Sequence, residues 1–419
     1  MKNILILGSG GREHALSWKI SQSPKCKKLF IAPGNAGTSN TGTNVNLNIL
    51  DFEEVQSFVD KEDIHLIVVG PEAPLVEGIY DYFNDHEVHV IGPSKQASQL
   101  EGSKAFANDF MKEFNIPTAG YLTITKASIE KGFEFIDQQK DKIVLKADGL
   151  AAGKGVLIID DKTQAKDALR KMLEGQFGQA SETVVIEEFL DGIEFSVFVA
   201  TDGEGYQILP VAKDYKRIGE GDTGLNTGGM GAVSPVPFVS DELMQKVKDQ
   251  IIEPTIHGLN KRAYTYKGFI FLGLIKVDED PFVIEYNCRL GDPETEVVIP
   301  RIKNDFVDIL EAISDKSINN CHVEISEESA ATIMLVSGGY PESYEKNKLI
   351  TGIEAVEDSI VFHAGTKTTE TKTLTNGGRV MAITSLEKDF RAAIHKSLRN
   401  IKRIQFEKMD FRNDIGFDL

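Results

Sequence analysis

The sequence predicts a multidomain protein that combines α/β and α+β architecture and opens with a parallel α/β sheet domain. Three observations predict it. The chain has 419 residues, room for two to four domains at roughly 150 residues each. Its first hundred residues alternate apolar strand patterns with helical ones, as βαβ units do. Beyond them the pattern changes to strands joined by glycine-rich turns.

Composition narrows the class. Apolar residues make up 41% and charged residues 26%, the balance of a globular chain with sizeable cores, so disorder is excluded as the main state. The net charge of −18 repels nucleic acid and anionic lipid, so neither is an expected partner. Cys26, Cys288 and Cys321 are too few and too scattered for a disulfide framework or a zinc site. They suit a reducing compartment. The N-terminal apolar run, 4–7, is too short for a signal peptide. No stretch reaches the roughly 18 apolar residues of a membrane span. The expected location is cytoplasmic.

In order along the chain, strands are predicted at 4–7, 29–32, 66–69 and 88–91, leaving through GSGG, APGN, VGPE and IGPS. A helix is predicted at 13–20. Ligands bind beyond the carboxyl ends of such strands, so the four exits should share one rim. A helix over 104–114 places Phe106, Phe110, Met111 and Phe114 on one side. Strands at 143–147, 156–159, 184–188 and 195–200, with a helix at 165–173, predict a small α+β subdomain. Residues 213–237 hold six glycines between Gly219 and Gly231 and predict a long functional loop. A hairpin, 271–277 and 282–287, turns at DEDP. A third unit begins near 325, with strands at 332–336, 360–363 and 379–384. Its helix, 386–401, puts Phe390, Ala393, Ile394, Leu398 and Ile401 on one face.

Several motifs carry chemistry. GSGGREH follows a strand and opens a helix, but Glu13 stands where a dinucleotide fingerprint needs its last glycine. The second strand ends Ala32-Pro33-Gly34, with no acid for a ribose. The motif is either a plain tight turn or an anion site at a helix N-terminus. GLAAGKG, 149–155, is no P-loop: it is one residue short, and Gly155 replaces the hydroxyl residue. It reads as a hairpin turn or as a flap whose N–H groups close over phosphates. Lys146, within the apolar IVLKA, favours the flap. Lys104 opens a helix, where a cation opposes the dipole unless an anion joins it. In FVIEYNCRLGDPETE, strand alternation puts Glu285, Asn287 and Arg289 on one face. A carboxylate beside an amide oxygen suits a hard cation, and Arg289 beside them can clamp an anion. VVIEEFLDGIEF ends a strand where the backbone can pair with adenine, or is merely a solvated acidic pair. His14 and His363 read as lone structural histidines.

Assembled, these segments resemble the glycinamide ribonucleotide synthetases (phosphoribosylamine–glycine ligases), ATP-grasp enzymes of purine synthesis. The resemblance runs through GSGGREHAL, APGNAGT, VGPEAPLV, LEGSKAF, KADGLAAGKGV, VIEEFLDG, NTGGMGAVSP, EYNCRLGDPETE, SGGYP, FHAGT, NGGRV and DIG, essentially the whole chain. It implies an N-terminal acceptor-substrate domain (1–102), an ATP-grasp domain pair (103–324, with a flap subdomain at about 118–192) and a small C-terminal α+β domain (325–419). It implies ATP and Mg²⁺ or Mn²⁺ as cofactors, with glycine and 5-phosphoribosylamine as substrates. A monomer is expected.

The resemblance also implies roles. Lys104 and Lys146 would contact ATP phosphates, under a flap of Gly153, Lys154 and Gly155. Glu187, with the backbone of Glu188, Phe189 and Leu190, would hold adenine, and Glu194 the ribose. Glu285 and Asn287 would bind the metal. The preceding strand, FLGLIKV, lacks the third acidic ligand of many ATP-grasp members, so a second ion would rest on these two, phosphate oxygens and water. Arg289, with Asp292 nearby, would orient the carboxylate and then the acyl phosphate. Gly10, Gly11, Arg12, Glu13, Gly70, Pro71 and Glu72 would receive phosphoribosylamine. Asp214, Lys216, Thr227, Gly228, Gly229 and Met230 would close over the acceptor or glycine, Asp214 acting with Lys146 and Arg289 in catalysis. The rival reading is another ATP-grasp carboxylate–amine ligase, or a carboxylase, of the purine pathway. An oxidoreductase and a non-catalytic nucleotide sensor belong to other classes. The broken fingerprint opposes the first, and the full set of phosphate and metal groups opposes the second.

Overall fold

The computed structural model describes residues 1–150 and 155–419. Among them, Lys2–Gly8, Cys26–Pro33, Leu66–Val69 and His89–Pro93 form the expected parallel sheet, with Lys2–Gly8 between the second and third of these. The reversal of strand order on either side of Lys2–Gly8 opens a crevice at its carboxyl end. These strands are apolar on both faces because helices cover both, and Ile4, Leu5, Ile6 and Leu7 are fully buried.

The sheet does not stop there. Tyr266–Val277 adds antiparallel to its edge through Tyr266 and Lys267, opposite Pro93 and Gly92. The same long strand then pairs with Ile193–Thr201 on one side and Asp280–Asn287 on the other. Two glycines permit the junction: a Cβ on Gly268 would stand 3.1 Å from the Gly92 Cα. The strand expected at 195–200 therefore belongs to this large sheet and not to the small α+β subdomain. That subdomain is a separate four-stranded sheet, Tyr121–Thr125, Thr183–Glu188, Ile143–Ala147 and Val156–Ile159 in spatial order. Its own core contains Ile136, Leu145, Leu169 and Ile186.

The C-terminal sheet is built on Ser329–Ser337 and Arg379–Glu387, with Ile360–His363 outside. Residues 213–237 are not the long loop expected. They form the short strands Lys213–Asp214, Arg217–Gly219, Thr223–Asn226 and Gly231–Ser234, and the last pairs with Ser329–Ser337. The last helix starts at Phe390, capped by Asp389 through Ala392 N, and Leu386 belongs to the preceding strand. No helix among the described residues is long and apolar enough to cross a membrane.

Candidate active site

The site is assembled where the three sheets meet. On the nucleotide side, Lys146 sits on Ile143–Ala147 opposite Val185, which places Glu187 diagonally across on the same face. The Lys146 Nζ lies 2.6 Å from Glu187 Oε2 and donates to the Ile284 carbonyl at 3.0 Å. Asn108 donates to the other Glu187 oxygen at 3.0 Å. The pair is buried, with 5% and 7% of the side chains exposed. Both Glu187 oxygens are thus engaged inside the protein. The Glu188 N–H is also used, donating to Gly120 O at 2.9 Å. Phe189 carries Lys142 over its ring, and Leu190 is half-buried beside it. Gly155 is buried and its carbonyl accepts from Ala147. Gly153 and Lys154 lie outside the described residues.

Lys104 begins the helix Lys104–Glu113, whose N-cap, Ser103, accepts from Phe106 N. Asp148 supports the cap, accepting from Ser103 Oγ and from Ala105 N at 2.7 Å. The anion that offsets the Lys104 charge is Glu285, 3.5 Å away. Glu285 is the electrostatic centre of the site. Burial pushes its carboxyl up, but Lys104, Lys216, Lys146 and Arg289 outweigh burial and hold it at about 2. It is an ionised oxygen donor at any working pH. Asn287, two residues on, is buried. Among the described residues no three His, Cys, Asp or Glu side chains form a metal cluster. Glu285 and Asn287, a carboxylate and an amide oxygen two residues apart on one strand, are a donor set that suits a hard cation.

Arg289 leaves the strand and turns to Glu101 at 2.7 Å, with Glu72 at 3.7 Å. Glu101 is itself fixed by Cys288 N at 2.7 Å. The Arg289 Nε–H is buried and makes no hydrogen bond among the described residues; the Glu72 carboxylate stands 3.7 Å from it.

On the acceptor side, the N-terminus of the helix Gly11–Ile20 meets acids of its own chain. Gly10 N donates to Glu13 at 2.5 Å and Arg12 N to Asp292 at 3.3 Å. The Arg12 side chain joins Glu13 and the Leu290 carbonyl. Gly70 packs directly on the Glu13 carboxylate, and Pro71 precedes the short helix that carries Glu72. A cavity of about 350 Å³ opens beside these residues, lined by Ser9, Gly10, Asn35, Asp292, Thr366 and Arg379 among others. Arg379 ion-pairs with Asp292 at 2.9 Å and donates to Gly228 O. Burial pushes the Asp292 carboxyl up, yet Arg379 and Arg12 together hold it below the ordinary carboxylate range.

The 213–231 segment closes the third wall. Lys216 reaches Glu194 at 2.8 Å, with 37% and 45% of these side chains exposed. Lys216 holds the Glu194 carboxyl down, whereas burial lifts that of Asp214 against the same lysine. Thr227 Oγ1 donates to Lys216 O and accepts from Gly229 N. Met230 is different: its side chain is fully buried in the C-terminal core.

Sequence reasoning missed four charged groups that neighbour Arg289, Asp292 or Asp214: Glu101, Arg379, Glu294 and Glu296. Burial raises the Glu294 carboxyl to about 8 and Glu296 well above the ordinary range, with Asp214 and Asp292 respectively adding to it. Both belong to the run DPETE, whose acids look solvated in isolation. His14 and His363 are not lone residues either. His363 N donates to His14 Nδ1 at 2.7 Å, joining the first helix to the C-terminal sheet. Burial lowers the two imidazoles to about 3 and about 4, so both stay neutral.

Comparison with known proteins gives this arrangement a family. Family models for phosphoribosylglycinamide synthetase match as the N domain over residues 2–101, the ATP-grasp (A) domain over 102–295 and the C domain over 330–418. A phosphoribosylamine–glycine ligase of Vibrio vulnificus is 44% identical over 422 residues, covering 99% of this chain and 98% of that one. A ligase of the same name from Haemophilus influenzae is also 44% identical, over 421 residues, with the same two coverages. The crystal structure of phosphoribosylamine–glycine ligase from Thermotoga maritima superposes with a TM-score of 0.87 at 35% identity, covering 98% of this chain and 99% of that one. The biotin carboxylase domain of the Hydrogenobacter thermophilus 2-oxoglutarate carboxylase shares the fold, with a TM-score of 0.72 at 14% identity, covering 99% of this chain and 93% of that one. The chain is a member of the phosphoribosylglycinamide synthetase family, a ligase of ATP-grasp fold.

Proposed function

We propose that the chain joins glycine to 5-phosphoribosylamine, driven by ATP, to give glycinamide ribonucleotide, ADP and phosphate. The observation that carries this reading is Glu285, held ionised by Lys104, Lys216, Lys146 and Arg289. The glycine carboxylate oxygen attacks the γ-phosphorus of ATP, the bond to the bridging oxygen breaks, and ADP leaves. The amine nitrogen then attacks the carbonyl carbon of glycyl phosphate. The C–N bond forms, phosphate leaves with the C–O bond pair, and the nitrogen loses a proton.

Such phosphoryl transfer needs positioning and charge neutralisation more than a base. Lys104 and Lys146 supply positive charge to the phosphates, and Glu187 fixes Lys146 in place. Adenine recognition falls to the Glu188 carbonyl and the backbone of Phe189 and Leu190, and the ribose to Glu194. Glu285 and Asn287 would hold Mg²⁺ or Mn²⁺, which would supply further neutralisation of phosphate charge. Arg289 orients the glycine carboxylate. Asp214, Lys216 and the 227–229 turn close the substrate side, and Gly10 to Glu13 with the 70–72 turn face the acceptor. The three units 1–102, 103–324 and 325–419 thus divide the acceptor, nucleotide and closing roles. We assign the chain to the cytoplasm as a monomer.

The test is ADP release with Mg²⁺, glycine and freshly generated phosphoribosylamine, each omitted in turn. Turnover that requires both glycine and the amine is expected. ADP release independent of glycine would overturn the substrate assignment while leaving the nucleotide site intact.

A further inference from the structure

The hairpin of Arg217–Gly219 and Thr223–Asn226 is a sheet of two strands, joined to no other strand among the described residues. An isolated two-stranded hairpin is marginal in water, so something else must hold it. Its base matters, because the strands spring from Lys216 and Thr227, two residues of the substrate wall whose backbones are hydrogen-bonded to each other.

What holds the hairpin comes from 190 residues away. Arg412 has only 1% of its side chain exposed. Its guanidinium forks onto Asp414 with two bonds of 2.8 Å. Its remaining N–H groups reach into the hairpin, to Asp222 at 2.6 Å and to the Arg217 carbonyl at 3.1 Å. Asp414 accepts in turn from Gly221 N at 2.7 Å, and Asn413 donates to Glu220 at 3.0 Å. The strap continues past the hairpin. Asp418 pairs with Lys213 at 3.2 Å and accepts from the Tyr215 hydroxyl at 2.8 Å, while the Phe417 and Tyr215 rings pack together. Lys213 and Tyr215 flank Asp214, and Tyr215 precedes Lys216.

We propose that the segment 412–418 is a strap that positions the substrate wall, with Arg412 its central positioning residue and Asp214, Lys216 and the 227–229 turn its cargo. The strap's link to the nucleotide side among the described residues runs through Lys216, which pairs with Glu194. Its loss should therefore act first on the substrates that this wall meets and on ATP less. This rests on the proposed reaction for its kinetic consequence, but not for its geometry.

The experiment uses Arg412→Gln and Asp222→Asn in the full chain. Asp222 is 42% exposed at a positive φ that asparagine tolerates, so this variant keeps the test alive where Arg412→Gln does not fold. Amide hydrogen exchange of the free chain and steady-state kinetics are measured together. Faster exchange confined to 213–230 is expected, with KM for glycine or phosphoribosylamine raised about three- to tenfold, as for one lost charge-assisted contact, and KM for ATP raised less. Unchanged exchange across 213–230 in both variants would overturn the strap. Faster exchange with all three KM values unchanged, or with KM for ATP rising equally, would overturn its positioning role. A wild-type chain that ignores glycine would instead sink the proposed reaction, and exchange would still decide the strap.

Discussion

Two lysine–glutamate pairs of nearly equal length sit on opposite walls of the cleft. Lys146–Glu187 spans 2.6 Å and is buried, and Lys216–Glu194 spans 2.8 Å and stands half in solvent. Distance alone would rank them together, but their surroundings separate them. Removing one partner of a buried pair strands an uncompensated charge, whereas an exposed pair is screened and weak. The buried pair is a fixture that presents one cation in one place. The open pair stands partly in solvent, where a ligand can compete for either partner. The nucleotide wall is thus preorganised, and the substrate wall is completed by what binds.

The sharpest way to probe this division is its common centre. Glu285→Ala should abolish turnover with the fold retained, read by ADP release and circular dichroism; near-wild-type rates would remove Glu285 from the site. Next in size, Lys146→Met should cost about 3–5 kcal/mol of unfolding free energy by stranding Glu187. The double variant Lys146→Met/Glu187→Met should recover most of that stability in denaturant titrations, and none of the activity. A Lys146→Met protein as stable as wild type would erase the contrast between the pairs.

Glu296 extends the comparison to a buried acid with no cation bonded to it. Both its oxygens lack hydrogen-bond partners among the described residues, and a Cβ on Gly11 would stand 2.2 Å from one of them. Burial, helped by Asp292, raises its folded pKa. The unfolded carboxyl ionises near the ordinary value while the folded one keeps its proton. Stability therefore falls as pH rises from about 4.5 through the folded pKa, at no more than about 1.4 kcal/mol per pH unit. Glu296→Gln should remove that slope and be the more stable protein at pH 7, by thermal melts across pH. Equal slopes would show that Glu296 is ionised in the fold. The smallest effect belongs to Lys216→Met, under about 1 kcal/mol in stability, with kcat/KM for glycine or the amine reduced. A stability loss matching that of Lys146→Met would break the distinction between the two walls.

These groups were unevenly legible in the sequence. Strands 66–69, 143–147, 156–159 and 360–363 match to the residue, because each is an apolar run with a clear stop. The strands within 213–234 escaped because they are two to four residues long. Gly231–Ser234 is a strand only by virtue of Ser329–Ser337, a hundred residues away. The helix at 386–401 was begun too early because the apolar spacing runs on through the end of a strand, although Asp389 is a visible cap. Lys146 and Glu285 stood out as charges inside apolar runs. Glu101, Glu294 and Glu296 did not, because nothing local distinguishes an acid that tertiary packing will bury from one that water will keep. Asp292 beside the helix N-terminus at Gly10 was hidden for the same reason: it comes from far along the chain.

Tyr266–Val277 has a mechanical consequence. Its first two residues are stitched to the edge of the N-terminal sheet and the rest to Ile193–Thr201 and Asp280–Asn287. One girder thus runs beneath both the acceptor platform and the strand that carries Glu285. Those two cannot rock against each other without shearing a continuous ladder. The four-stranded sheet of Tyr121–Thr125, Thr183–Glu188, Ile143–Ala147 and Val156–Ile159 stands outside that ladder, on a core of its own, so the girder does not tie it to either.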